Sequence, residues 1–358
     1  MALSRIDTTN MIEDVPQSKI DNNINFRNII INGDMSIAQR GTSQASITTS
    51  GYYTVDRWRT GVSSAGTWTQ TQSTDVPTGQ GFGYSLKYDC TTADASLGAG
   101  DVVFHEQRVE GQNLQYLKKG TSNAESLTCS FWVKSNKTGT YIVQLNDTDN
   151  NRSISKSYTI DSASTWEKKT ITYDGDTTGA FVNDNLQSLR VRHWLVAGSD
   201  YTSGTLATSW ESRVTANEAV GQVNLADSTA NEWYITGVQL EAGTTASDFE
   251  FLPTDVNLQR CQRYFYSNEV ITNTTFWMDG YQASTGYVNR LLVFPVTMRV
   301  RPSMSYSGNW TTSNMSTSSA SFVAFSTQGF KMEARASSTG RAFIYPNGAG
   351  TLTADAEL

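Results

Sequence analysis

SLTCSFWVKSNKTGTYIVQLNDTDN, Ser126–Asn150, decides how this chain folds. Leu127, Cys129, Phe131 and Val133 alternate with Thr128, Ser130, Trp132 and Lys134. Successive side chains of an extended strand point to opposite faces, so this period of two places four apolar residues on one covered face. A helix would bring together residues three and four apart and mix the two sets. SNKTG then supplies turn residues, and Tyr141–Leu145 resumes the apolar run, so the spacing predicts a hairpin.

Working outward, the same texture recurs in FRNIIINGDMSIAQRG (26–41), YYTVDRWRTG (52–61), GFGYSLKYDC (81–90), WEKKTITYDGD (166–176), LQSLRVRHWLVAG (186–198) and EWYITGVQLEAG (232–243). Each reads as a strand closed by a turn, with no helical period between them. An all-β chain follows, with an antiparallel sandwich or jelly roll over 26–253. At Pro253 the pattern breaks: in TDVNLQRCQRYFY, Leu258, Cys261 and Phe265 stand at helical spacing behind Thr254 or Asp255 as N-cap, so 254–266 is expected to be a short helical linker. Strand patterns return over 267–358 around a Ser/Thr/Asn-rich loop at 307–321, which predicts a second, smaller β-sandwich domain. Residues 1–25 are polar, with spaced aliphatics Ile6, Met11, Ile12, Val15 and Ile20 and no sustained period. Such a segment cannot bury enough surface to fold alone, and it is expected to be an extended tether that orders by docking those aliphatics on another protein.

Composition narrows the function classes. Charged residues are 17% of the chain and the formal net charge is -7, the wrong sign for neutralising phosphates, so nucleic acid is not expected as a partner. Cys90, Cys129 and Cys261 are widely spaced, with no CxxC pair, which points to neither a disulfide framework nor a zinc site. No run of about 18 apolar residues could span a bilayer, and the first residues hold no apolar signal core. Folding in a reducing cytoplasm is the expectation, with any exit from the cell by another route, such as lysis.

Three stretches taken in order carry a resemblance: NIIINGDMSIAQRG with GYYTVDRW (28–58), SFWVKSNKTGTYIV, and WYITGVQLEAG leading through FEFLP to RCQRYFY, followed by PVTMRVRP (295–302). Together, over about 26–302, they resemble bacteriophage virion appendage proteins (tail fibres, head fibres and decoration proteins) that carry a jelly roll similar to carbohydrate-binding modules. The resemblance implies a homotrimeric structural protein on the virion exterior. It would be held to other virion proteins through the tether at 1–25 and would attach to host surface polysaccharide. A capsid head fibre or decoration protein is the alternative, and a polysaccharide depolymerase the further one. No cofactor is expected. Modules of this shape often hold a structural calcium between an acid just after the opening N-G-D strand and an acid on the closing strand; here Ser36 stands at the first position and Glu241 at the second.

Sugars stack on exposed indole rings while charged side chains fix their substituents. Trp132 and Lys134 share one strand face, and in 186–198 Leu189, Val191, His193 and Leu195 share one face while Arg190, Arg192 and Trp194 share the other. If the two strands are neighbours, Trp132, Lys134, Arg192 and Trp194 form a glycan patch suited to an anionic polysaccharide; the competing expectation is burial of the tryptophans. Asp147/Asp149 and Asp174/Asp176 contain the paired carboxylates that glycosidic cleavage needs, but they lie in turn sequences, where Asp bonds its own backbone. His193 falls on an apolar strand face and reads as a core residue. No nucleophile elbow, zinc-protease helix or phosphate loop is present, so catalysis is not expected.

Overall fold

The computed structural model describes residues 26–270, 278–283, 285–324 and 326–358. The tether at 1–25, with Ile6, Met11, Ile12, Val15 and Ile20, lies outside the described residues.

Two antiparallel sheets face each other over the first part of the chain. One runs in spatial order Ser43–Ile47, Thr67–Ser73, Ser85–Thr92, Glu232–Ala242, Leu127–Ser135 and Glu167–Tyr173. The other runs Glu211–Ser212, Arg152–Ile160, Gly139–Asp147, Gln187–Ala197, Val102–Glu110, Arg59–Ser63 and Gly51–Tyr52. The chain crosses repeatedly from one sheet to the other, the winding of a jelly roll. The inward faces are the ones read from alternation: Leu127, Cys129, Phe131 and Val133 meet Leu189, Val191 and Leu195 in one apolar cluster with Trp58, Trp68 and Trp233.

The expected hairpin at SNKTG does not form. Strand 127–135 pairs with 167–173 and 232–242, whereas 139–147 pairs with 152–160 and 187–197, so Asn136–Gly139 carries the chain across the sandwich. Tyr141 donates its hydroxyl hydrogen bond to the Lys137 carbonyl at 2.8 Å and pins that crossing. A hairpin and a crossover satisfy the same local turn. The choice is made by the apolar faces of the two strands, which gain more by facing each other across the core than by lying side by side.

The opening segment 28–41 is also not a strand. It lies beside the closing strand as an irregular ribbon, with Ile29 N–H donating to Leu240 O at 2.9 Å and Val238 N–H to Gly33 O at 2.9 Å. Gly33 is required there because a Cβ would meet the Val238 carbonyl oxygen at 2.0 Å.

The linking helix covers Thr254–Gln262 with Pro253 as N-cap, and the next strand begins at Phe265, inside the segment expected as linker. Three antiparallel three-stranded sheets follow, centred on Gly350–Asp355, Gly340–Asn347 and Gly329–Arg335, around a second apolar cluster that includes Phe330, Met332, Ile344 and Leu352. The end of the chain returns to the sandwich. Arg57, 1% exposed, is ion-paired with Glu357, and Arg108 donates to the Leu358 carbonyl at 2.6 Å. Among the described residues no helix is long and apolar enough to cross a membrane.

Candidate functional site

The register fixes where the sequence-predicted residues stand. Trp132 and Lys134 lie on the outer face of the six-stranded sheet, and Arg192 and Trp194 on the outer face of the seven-stranded one. The four residues therefore do not form one patch; the sandwich core separates the pairs.

On the seven-stranded sheet the face is covered. The segment after Gly198 runs over it, with Val223 N–H donating to Thr140 O at 3.0 Å and Ser155 N–H to Ala207 O at 2.7 Å. Trp194 is fully buried beneath it against Phe104 and Tyr201, at centroid separations of 5.6 and 5.3 Å, so no sugar can stack on it. Arg192 lies over the Phe104 ring and binds the Glu106 carboxylate at 2.9 Å. Arg59 and Arg108 each reach the same carboxylate at 3.1 Å. Burial alone would raise the Glu106 pKa, but Arg192, Arg108 and Arg59 hold it down to about 2. The cations that the strand pattern turned outward are thus the interior of an ionic layer.

The six-stranded sheet keeps an open aromatic face. Trp132 is half-buried, with Lys168 and Thr236 as its cross-strand neighbours. Thr236 Oγ1 donates to the Tyr84 carbonyl at 2.7 Å, which draws exposed Tyr84 alongside. One pleat further on, Lys134 sits 4.2 Å from the centroid of the Tyr234 ring and 5.5 Å from that of Trp166, and is neutralised by Asp75. Trp166 Nε1–H donates to the other Asp75 oxygen at 2.9 Å, and Lys87 pairs with Glu232 at 2.8 Å. Lys134 is therefore a positioning residue that fixes two rings, while Trp132 presents its indole to solvent beside exposed Lys168. Near this strip Gly237, at φ 62, forms the bulge that lets Phe82 close in, and Phe82, Phe249 and exposed Phe251 form a further ring cluster. Sequence reading missed Trp166, Tyr234 and Tyr84, because only the pairing of distant strands brings them to Trp132.

The second domain holds another aromatic recess, of about 580 Å³, where Tyr306, Trp310 and Phe322 meet at centroid separations of 4.7 to 5.7 Å beside Ser305 and Asn309.

One acid of each pair is engaged by cations. Lys119, itself buried, binds Asp147 at 2.6 Å and Asp176 at 3.0 Å, and Arg152 holds Asp176 at 2.7 Å. Asp147 also accepts from the backbone N–H of Asp149 and Asn150, the turn role read from the sequence. The two turns that carry these acids converge on one lysine.

The residues at the calcium position implied by the resemblance do not fit a cation. Glu241 accepts hydrogen bonds from Ser247 N and Oγ and from Gln239 Nε2, with Arg27 at 3.5 Å. Ser36 Oγ accepts from Asn257 Nδ2 at 3.1 Å. A metal ion needs oxygen lone pairs turned towards it, and here donors occupy them. Among the described residues no three His, Cys, Asp or Glu are grouped as a metal ion would require.

His193 and His105 are fully buried in the sandwich among Trp58, Trp233 and Phe131. Burial pushes the His193 pKa down to about 3, and neither of its ring nitrogens has a hydrogen-bond partner among the described residues. Its folded pKa lies below the unfolded value of about 6.5, so the unfolded chain binds the extra proton and stability falls as pH drops below about 6.5. His193→Leu is expected to remove this part of the acid sensitivity. Urea unfolding at about pH 5 should find the variant about 2 kcal/mol less weakened, relative to neutral pH, than the parent; equal pH slopes would refute the assignment.

No family model matches the sequence, and no curated protein matches it. Among solved structures the chain is similar to the enzymatically active domain of tailspike protein 4 of bacteriophage CBA120, at 14% identity and a TM-score of 0.31 over 60% of this chain and 21% of that one. It is similar to TmCBM61 in complex with β-1,4-galactotriose, at 12% identity and a TM-score of 0.30 over 60% of this chain and 99% of that one. A putative sugar-binding protein from Bacteroides thetaiotaomicron gives 12% identity and a TM-score of 0.32, with the same coverage. The sandwich itself is established by this chain's own strand pairing.

Proposed function

We propose that this chain is a non-catalytic structural appendage on the exterior of a tailed-bacteriophage particle that attaches to host surface glycans through the outer face of the six-stranded sheet. The observation that carries the reading is the half-buried indole of Trp132, set on a central strand between Thr236 and Lys168. A flat ring held without rotamer freedom offers a stacking surface to the C–H face of a pyranose, and neighbouring hydroxyl and ammonium groups satisfy its polar edge. The virion setting rests on the ordered motifs of 28–302. The homotrimer of this reading rests on the same motifs; the edge strand Tyr287–Val293 exposes Leu291 (68%) and Val293 (82%) on one face, apolar surface that another copy of the chain would cover. Binding without cleavage is supported by Asp147 and Asp176, one acid of each pair, which are engaged by Lys119 and Arg152.

Trp132→Ala is expected to weaken binding of purified host surface polysaccharide about tenfold, ~1.4 kcal/mol, with an unchanged melting temperature. Affinity electrophoresis measures this, and unaltered mobility would sink the sheet-face assignment. A reducing-sugar assay on the same polysaccharide is expected to stay flat; released oligosaccharides would make the chain a depolymerase. Immunogold labelling with antibody against residues 260–358 places it: gold on the tail supports an attachment fibre, gold over the head makes it a capsid decoration, and unlabelled particles overturn the virion reading.

A further inference from the structure

We propose that a cleft beside the linking helix binds an acidic saccharide, with Arg260 receiving the sugar's carboxylate. This inference rests on the glycan-attachment reading and names the charge class of ligand at a place distinct from the sheet face. The cleft has a volume of about 430 Å³, which suits one or two sugar rings, and lies between the end of strand 102–110, the turn at 112–116, the opening segment and the helix.

Three guanidinium groups line it, and they differ in one respect. Arg263 is neutralised by Glu110 through two bonds, Nε to Oε1 at 2.8 Å and Nη2 to Oε2 at 2.7 Å. Arg108 is ion-paired with Glu106 at 3.1 Å, a carboxylate it shares with Arg59 and Arg192, and also donates to the Leu358 carbonyl. Arg260 makes a 3.4 Å contact to the Asn28 carbonyl and no ion pair with a carboxylate of the described residues. Burial pushes its pKa below the usual arginine value, with Cys261 and Glu250 acting in the opposite direction. A partly desolvated cation whose nearby carboxylate, Glu250, makes no ion pair with it keeps its hydrogen-bond donors free for an anion that accepts the planar fork. Two exposed aromatic rings border the same cleft, Phe26 at 61% and Tyr116 at 50% exposure. They offer apolar surface to a sugar ring, which a bare inorganic anion would not use.

Isothermal titration of the full chain with a uronate-containing oligosaccharide, its carboxyl-reduced counterpart and inorganic sulfate tests the proposal. The acidic oligosaccharide is expected to bind, the reduced form to bind about tenfold more weakly, and sulfate not to compete at equal concentration. Arg260→Gln should abolish the difference between the acidic and reduced forms without lowering the melting temperature, because among the described residues the guanidinium closes no ion pair. Tyr116→Ala, at an exposed position, should weaken both forms and tests the cleft independently should Arg260→Gln fail to fold. No binding by the full chain, equal affinity for both oligosaccharides, or displacement by sulfate would each overturn it. The two sites fail separately. If Trp132→Ala abolishes uronate binding and Arg260→Gln does not, the cleft is wrong and the sheet face stands; the reverse pattern sinks the sheet face and keeps the cleft.

Discussion

Glu106→Gln is expected to destabilise the sandwich by about 3–5 kcal/mol, the cost of leaving buried charges without their partner. The substitution keeps the side chain's shape and removes only its charge. Glu106 is fully buried, and Arg59, Arg108 and Arg192 all direct guanidinium hydrogens at its carboxylate from within 3.1 Å. Glu218, at 3.7 Å from Arg192, can compensate only one of the three and is already paired with Arg213. The pH dependence has a definite sign. The folded pKa of about 2 lies below the unfolded value of about 4.5, so the carboxylate's stabilisation is complete above about pH 4.5 and is lost as pH falls towards 2. Urea unfolding of parent and variant should therefore differ most near neutral pH and converge in acid. A difference of less than about 1 kcal/mol at neutral pH would show that the three arginines do not depend on this carboxylate.

Glu357→Ala is expected to cost a similar amount, about 3–5 kcal/mol, and to change the form of the unfolding transition. Arg57 is buried in the sandwich, stacked 3.4 Å from the centroid of Tyr264, and its ionic partner Glu357 comes from beyond the last strand of the second domain. Arg40 adds a second contact to Glu357 at 3.3 Å. Each domain has its own apolar cluster, so the pair acts as a clasp between units with separate cores. Calorimetry of the parent should show one transition; the variant should show two, because Arg57 is then buried without a counter-charge and the second domain loses its hold. Glu357→Gln keeps a hydrogen-bond acceptor for Arg57 and should fall between them. A single transition at the parent temperature would remove the clasp.

The aromatic face illustrates how far local pattern reaches. Trp132 and Lys134 could be assigned to one face of one strand from alternation alone, and so could Arg192 and Trp194. That the pairs lie on opposite sides of the molecule depends on which strands are neighbours, and the hairpin expected at 136–139 is instead a crossover. The burial of Trp194 depends on residues 199–227, whose polar sequence carries no strong period. They cover the sheet through backbone and side-chain bonds such as Ser155 Oγ to Glu218 O at 2.8 Å and Ile142 N–H to Gln222 Oε1 at 2.9 Å. Hydrogen bonds of that kind leave no hydrophobic signature in a sequence. Arg260 escaped notice for a related reason: a basic residue on a short helix reads as solvated until the structure shows which carboxylates are absent from its side.

By itself the sequence determined the all-β class, the inward faces of the strands, the helix after Pro253 and the core placement of His193. Each of these follows from side-chain period, turn chemistry or the fixed φ of proline, all local properties of the chain. Tertiary structure alone decided the crossover at 136–139, the convergence of Asp147 and Asp176 on Lys119, the three-arginine cage of Glu106, the clasp between Arg57 and Glu357, and the placement of Arg260 at the cleft without an ion pair among the described residues. Those features join residues from distant parts of the chain, and electrostatic energy depends on the distances and burial that only the folded chain sets.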